Sequence, residues 1–300
     1  MNKRVIFGWI LFLLGVISIS AGGIILAIVY GFGCYMGGVE FVEMAKAKGY
    51  KPSPRIIKGM IIAFFAMAAI PTLRKLIGLP WNFALEHFPM LLLVGICICF
   101  IRLLFRQEER KPATIADIAT TVLGFIWIGF LPCHLILLRN LQPPAEPPNL
   151  NPLLQPGLAY VITSVFTIQA TDIFAYVVGK KFGKKLLYPE VSPKKTVEGA
   201  IGGFVASILV ATICVYLFDA YFPGQPFHGK LWQAPLMGAA VSIAAQIGDL
   251  CESLMKRDAG MKDSSTIIPG HGGFLDRGDS LLFGSPIAYY WICLVVLGIL

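Results

Sequence analysis

The sequence predicts an all-α, polytopic integral membrane protein with about nine transmembrane helices and a cytoplasmic N-terminus. Three observations carry that expectation. Of the 300 residues 56% are hydrophobic, only 14% are charged, and lysine and arginine are spread unevenly between the apolar runs. Soluble domains carry about 25% charged residues. Apolar runs at 5–19, 24–39, 56–70, 88–101, 118–138, 158–178, 200–218, 234–247 and 281–300 read as spans, allowing for tilt and interfacial flanks. Ala21-Gly22-Gly23 divides the first two runs, so a re-entrant pair is an alternative there.

Charge tests the span count. With the N-terminus inside, all but four of the 25 lysines and arginines fall on the inner side. The four outside are Arg74, Lys75, Arg139 and Lys230. That asymmetry fits nine spans by the positive-inside rule. The net charge of +8 therefore reads as topology plus phosphate binding, and no nucleic-acid partner is expected. Lys3-Arg4 before an apolar run resembles a signal peptide, but 18–23 leads straight into further membrane sequence. The seven cysteines lack a CxxC pair and mostly lie inside spans, where they serve as small apolar residues.

The chain changes character at 139–156, a segment with six prolines that reads as an extended outer loop. Residues 1–156 form an N-terminal group of membrane helices, and 157–300 form the half expected to carry chemistry. In that second half polar residues appear inside or at the ends of spans: Gln169, Thr171 and Asp172, then Ser242, Gln246 and Asp249. No internal repeat is visible, which weighs against a repeat-built transporter.

The densest polar stretch is 253–280. Within or beside it lie Glu252, Asp258, Asp263, Asp276 and Asp279, set against Lys256, Arg257, Lys262 and Arg277 around Gly270-His271-Gly272-Gly273. Carboxylates bind a hard cation such as Mg2+, while Lys, Arg and backbone N–H groups bind phosphate. Both together suggest a metal–polyphosphate ligand. Upstream, Ser242, Gln246, Asp249, Ser253, Lys256 and Arg257 recur at helical spacing along one face. An ionisable residue near the membrane is a functional candidate, although Asp249 could simply pair with Lys256 or Arg257. His271 is read as a general base or as a phosphate or water contact.

A third element spans 172–203. Lys180, Lys181, Lys184 and Lys185 could anchor anionic lipid. Ser192-Pro193-Lys194-Lys195-Thr196 reads as a helix start, with Ser192 as N-cap and Pro193 at N1. Lysines in a first turn oppose the macrodipole unless an anion docks there. Asp172 is either a third acidic ligand or a partner for these lysines.

At these residues the chain resembles the phosphatidate cytidylyltransferases, the CDP-diacylglycerol synthases. Their signature is matched by Ser253, Lys256, Arg257, Lys262, Asp263, His271, Gly272, Gly273, Asp276, Arg277 and Asp279, with spacing intact. The upstream elements recur as Asp172, Ala175 and Tyr176, as Ser192 to Thr196 with Glu198 and Gly199, and as Gln246, Gly248 and Asp249. The match is strong over 170–280 and only general before it. Gly278 departs from the larger residue usual between Arg and Asp.

The resemblance implies transfer of a cytidylyl group from CTP to phosphatidate, with Mg2+, at the cytoplasmic side of the inner membrane. Phosphatidate would attack through its phosphate monoester, whose second pKa near about 6 leaves it largely ionised. Charge neutralisation then matters more than a strong base. On this footing Asp249 and Asp276 are the leading metal ligands, with Asp263 and Asp279 as alternates and a second cation left open. Lys256, Arg257, Lys262 and Arg277 would neutralise triphosphate. Lys194 and Lys195 would hold lipid phosphate or nucleotide, with Ser192, Thr196, Ser253, Gly272 and Gly273 as further substrate-binding residues. A homodimer is compatible with such a family. The competing readings are a transporter coupled through Asp172 and Asp249, and a CTP-dependent lipid kinase or a CDP-linked synthase of another lipid.

Overall fold

The computed structural model describes residues 3–77, 87–105, 113–142, 151–268 and 272–299. They form ten α-helices and one short hairpin. The first helices are α1 (Lys3–Ala21), α2 (Gly23–Ala47), α3 (Pro54–Ile77) and α4 (Phe88–Leu104). Then α5 (Ile115–Phe125) passes through a π-helical turn, Ile126–Phe130, into α6 (Leu131–Asn140). After α7 (Pro156–Phe182) comes the hairpin of β1 (Leu186–Tyr188) and β2 (Ser192–Thr196). The chain continues through α8 (Val197–Tyr221), α9 (Gln233–Asp258) and α10 (Leu275–Trp291), which ends in a π-helical segment, Ile292–Leu297.

All nine apolar runs fall on helices. Among the described residues seven helical stretches are long and apolar enough to cross a membrane: Gly23–Ala47, Pro54–Leu73, Ile115–Asn140, Pro156–Phe182, Val197–Tyr221, Gln233–Asp258 and Leu275–Leu297. Gly8–Ala21 and Phe88–Leu104 are shorter apolar helices. Their exposed faces carry Ile28, Leu93, Leu209, Ile213 and Leu294. A helix surrounded by hydrocarbon closes its backbone hydrogen bonds internally and can leave such side chains outward. Gly22 and Gly23, with φ of +66° and +51°, separate α1 from α2 as two helices.

The chain divides into two compact units. The first comprises Met1–Ser18, Gly23–Ile136 and Met255–Arg277. Its interior is aromatic and β-branched: Phe64 stacks on Phe88 and Phe125, over the buried Ile57, Ile61 and Ile128. The α5 start is fixed by a capping box, in which the Thr114 hydroxyl accepts from the Asp117 N–H and Asp117 accepts from Thr114. The other Asp117 oxygen accepts the Lys51 N–H at 2.6 Å, and the Thr121 hydroxyl accepts the Ser53 N–H at 2.9 Å. These bonds fix the α2–α3 turn against α5.

The second unit comprises Ile19–Gly22, Leu137–Leu254 and Gly278–Leu300. Helices α7 and α8 lie in close contact, because Gly199 and Gly203 present no side chain to the Ala175 and Thr171 carbonyls. Small polar groups join neighbouring helices: Ser207 Oγ donates to the Gly238 carbonyl at 2.8 Å, and Thr171 Oγ1 donates to Ser242 Oγ at 3.1 Å. Arg139 is fully buried. It donates to the Ile19, Ser20 and Pro152 carbonyls and to Gln155 Oε1, at 2.7 to 3.3 Å.

One local expectation is corrected. Ser192 does not start a helix; residues Ser192–Thr196 form β2, antiparallel to β1 with Leu186 opposite Thr196 and Tyr188 opposite Ser192. The cap is Thr196, whose hydroxyl accepts the Gly199 N–H at 3.1 Å. Glu198 accepts the Lys184 and Lys185 N–H groups, closing the turn from α7 into the hairpin. The serine–proline pair looked like a cap, but the pairing available across the tight Tyr188–Ser192 turn satisfies the same backbone groups. Lys194 and Lys195 therefore sit on a strand ahead of the helix, not within its first turn.

Candidate active site

The second unit holds a pocket of about 570 Å3 walled by α7, α8, α9 and the hairpin. Its polar lining includes Asp172, Ser192, Lys194, Lys195, Thr196 and Asp249. Asp249 projects from α9 and forms an ion pair with Lys195 at 2.5 Å. Lys195, from the hairpin, thus supplies a cation to Asp249 from far along the chain. Gln246, one turn earlier, donates to the Ala200 carbonyl and to Ser242 Oγ, tying α9 to α8.

Gly248 lets α10 come close to α9. A Cβ there would lie 2.8 Å from the Asp279 carbonyl oxygen and 3.0 Å from the Phe283 ring. The approach puts the Asp279 carboxyl within hydrogen-bond reach of both Asp249 and the buried Glu252. Asp172, on α7, accepts from Ser280 Oγ at 2.9 Å and lies near enough to feel Asp249, Asp279 and Lys195 electrostatically. Acidic groups from three helices thus collect beside one lysine.

In the first unit the segment 255–277 is organised by two carboxylates. Asp276 Oδ1 receives Lys256 Nζ at 2.6 Å, with side chains only 10% and 12% exposed respectively. Asp276 Oδ2 accepts the Ser264 N–H, the Ser264 hydroxyl and the Gly273 N–H at 2.8 to 2.9 Å. Glu40, 2% exposed on α2, accepts from Ser264 Oγ, Ser265 Oγ and the Phe274 and Leu275 N–H groups at 2.6 to 3.0 Å. The last two are free donors at the α10 N-terminus, where a negative charge is favoured by the helix dipole. Gly273 is required for this contact: a Cβ there would overlap the Glu40 carboxylate and Ser264 Oγ.

The structure thus brings Asp172, Lys195, Asp249 and Asp279 together in one unit, and Lys256, Asp276, Gly272 and Gly273 together in the other. Lys194, Arg257, Lys262, Asp263 and Arg277 are exposed, and Arg257 Nη1 also donates to the Met261 carbonyl at 3.3 Å. Ser253 is buried on α9. His271 lies outside the described residues, as do Pro269 and Gly270. Glu40, Ser264 and Ser280 were not singled out from sequence. Glu40 carried one usable signal, an acid inside an otherwise apolar run.

These oxygens suit a hard cation. Mg2+ is commonly held by one or two carboxylates plus substrate phosphates, and two carboxyl groups in contact are relieved by a cation between them. Among the described residues the acids do not converge as a ready-made cage of three or more ligands.

An apolar helical bundle with a mixed acidic and cationic pocket is the architecture of a membrane-embedded protein that handles charged ligands. The chain belongs to the cytidylyltransferase family, whose model matches residues 2–295. It is 36% identical over 278 residues to a phosphatidate cytidylyltransferase of Synechocystis sp., covering 87% of this chain and 86% of that one. The Bacillus subtilis phosphatidate cytidylyltransferase is 32% identical over 288 residues, covering 91% and 96%. The chloroplastic phosphatidate cytidylyltransferase 4 of Arabidopsis thaliana is 31% identical over 307 residues, covering 97% and 73%.

Proposed function

We propose that this protein transfers the cytidylyl group of CTP to phosphatidate, giving CDP-diacylglycerol and pyrophosphate, at the cytoplasmic face of the inner membrane. The observation that carries this reading is the Lys195–Asp249–Asp279 cluster in an open pocket built from apolar helices, in a chain of the cytidylyltransferase family. A phosphatidate oxygen attacks the α-phosphorus of CTP. A new P–O bond forms there, the bond to the β-phosphate oxygen breaks, and pyrophosphate leaves with that electron pair.

Both reactants are anions, so the protein's task is to hold them in line and offset their charge. Lys195 would bind a phosphate oxygen, a role supported by its ion pair with Asp249, which orients it. Lys194 reaches solvent on the same strand and is assigned to the incoming phosphate, with Ser192 and Thr196 hydroxyls beside it. Lys256, Arg257, Lys262 and Arg277 offset the triphosphate and the leaving pyrophosphate, with Ser253, Gly272 and Gly273 shaping that region. His271 is assigned to phosphate or its bridging water. Asp249 and Asp279 would hold Mg2+. Bound there, the ion would supply Lewis-acid stabilisation of phosphoryl charge.

The test is purified protein with phosphatidate, Mg2+ and CTP labelled at either the α- or γ-phosphate. Label from the α-position in lipid supports the reading. Label from the γ-position in lipid would make the protein a kinase, and neither would overturn enzymatic transfer altogether.

A further inference from the structure

A second cationic cavity, of about 1170 Å3, lies in the first unit where α2 ends and α3 begins, beside the end of α4. Its charged lining is Lys46, Lys51, Arg55, Lys58 and Arg102, and among the described residues no carboxylate lines it. Two nearby acids among the described residues are engaged in other ways. Glu43 pairs with Lys46 at 2.7 Å on the exposed surface, while Asp117 accepts the Lys51 and Thr114 backbone N–H groups. Lys58 Nζ stands 5.7 Å from the Tyr35 ring centroid.

The start of α3 sharpens the imbalance. Its first turn holds Pro54 and Arg55 and no acidic residue. Cations there oppose the macrodipole, so the arrangement favours an anion above the helix N-terminus. Helix α4 adds apolar lining beside Arg102: Ile98, Ile101 and Phe105 line the cavity, and Phe105 is 75% exposed. A soluble anion would use the cations and leave that lining wet. An amphiphile uses both.

We propose that this cavity binds the phosphate headgroup of an anionic phospholipid, whose acyl chains lie along the exposed face of α4. The cavity shares no lining residue with the pocket of the second unit, and the proposal does not depend on the reaction assigned there. Positive charge at cytoplasmic helix ends attracts anionic lipid in a diffuse way. A walled cavity instead gives a saturable site.

The experiment titrates the full-length protein in neutral detergent with phosphatidylglycerol or phosphatidylcholine and counts bound lipid by native mass spectrometry. Phosphatidylglycerol is expected to saturate and phosphatidylcholine to bind far more weakly. Millimolar inorganic phosphate should not displace the lipid. The triple variant Arg55→Gln, Lys58→Gln, Arg102→Gln removes three cations, each worth about fivefold in attraction, so affinity at one site falls about a hundredfold. The charge-conserving variant Arg55→Lys, Arg102→Lys retains binding. Equal binding of both lipids, displacement by inorganic phosphate, or an unchanged triple variant would each overturn the proposal. Non-saturating uptake would reduce the cavity to part of a diffuse charged surface and equally refute it. Should the triple variant fail to fold, lipid selectivity and phosphate competition on the unaltered protein still decide.

Discussion

Replacing Glu40 with glutamine tests the segment that carries most of the charged motif. Each Glu40 oxygen accepts one serine hydroxyl and one backbone N–H, the Ser264 proton being shared with Asp276 Oδ2, so four groups converge on one buried carboxylate. In glutamine one oxygen becomes an NH2 group, which only donates. The serine on that side can turn its hydroxyl and accept, but the backbone N–H cannot. One buried N–H is therefore left unpaired, at about 1–3 kcal/mol. Loss of a negative charge at the α10 N-terminus adds about 0.3–2 kcal/mol. A total near 3 kcal/mol is expected from these two terms. The midpoint of thermal unfolding in detergent should fall by several degrees, and cytidylyl transfer should fall with it, because Asp276 and Lys256 depend on the same segment. A Glu40→Gln protein with the original midpoint and turnover would refute the anchoring role.

Four further outcomes follow from the same geometry. Asp249→Asn should lower turnover about a hundredfold or more while unfolding stays unchanged or shifts upward, since it relieves a carboxyl contact with Asp279; near-normal activity in a radiolabel assay would remove Asp249 from the site. Lys256→Met strips the partner from a carboxylate that is nine-tenths buried and should destabilise by about 3–5 kcal/mol, read by denaturation in detergent. Gly248→Val forces α9 and α10 apart at the Asp279 carbonyl, costing about 1–3 kcal/mol and lowering activity together with stability. Chelation with EDTA should stop turnover and added Mg2+ restore it; full activity in rigorously metal-free buffer would end the metal assignment.

The helices were legible because membrane helices announce themselves by composition, and each apolar run does lie on one. Their ends were not. The run ending at residue 39 stops where Glu40 adds a charge, yet α2 continues to Ala47, because that charge is bonded to partners more than 220 residues away in sequence. No local pattern could announce them. The lysines of the Ser192–Thr196 segment stood out as phosphate candidates, and both line the pocket. Their secondary structure was misread because a cap and a strand can begin with the same serine and proline. Asp249 stood out as a charge at helical spacing near the membrane. Its pairing with Lys195 could not be read, since Lys256 and Arg257 lay closer along the chain.

Arg139 has a consequence for biogenesis. Two of its acceptors are the Ile19 and Ser20 carbonyls, on the last turn of α1, and the others come from Pro152 and Gln155. A ribosome delivers residues 19 and 20 long before it makes their guanidinium partner, 119 and 120 positions later. During that interval the two carbonyls must be hydrated or held by the insertion machinery. The corner between the earliest pair of helices is therefore locked only after about half of the chain has been made, and a chain truncated before Arg139 would emerge with that corner open.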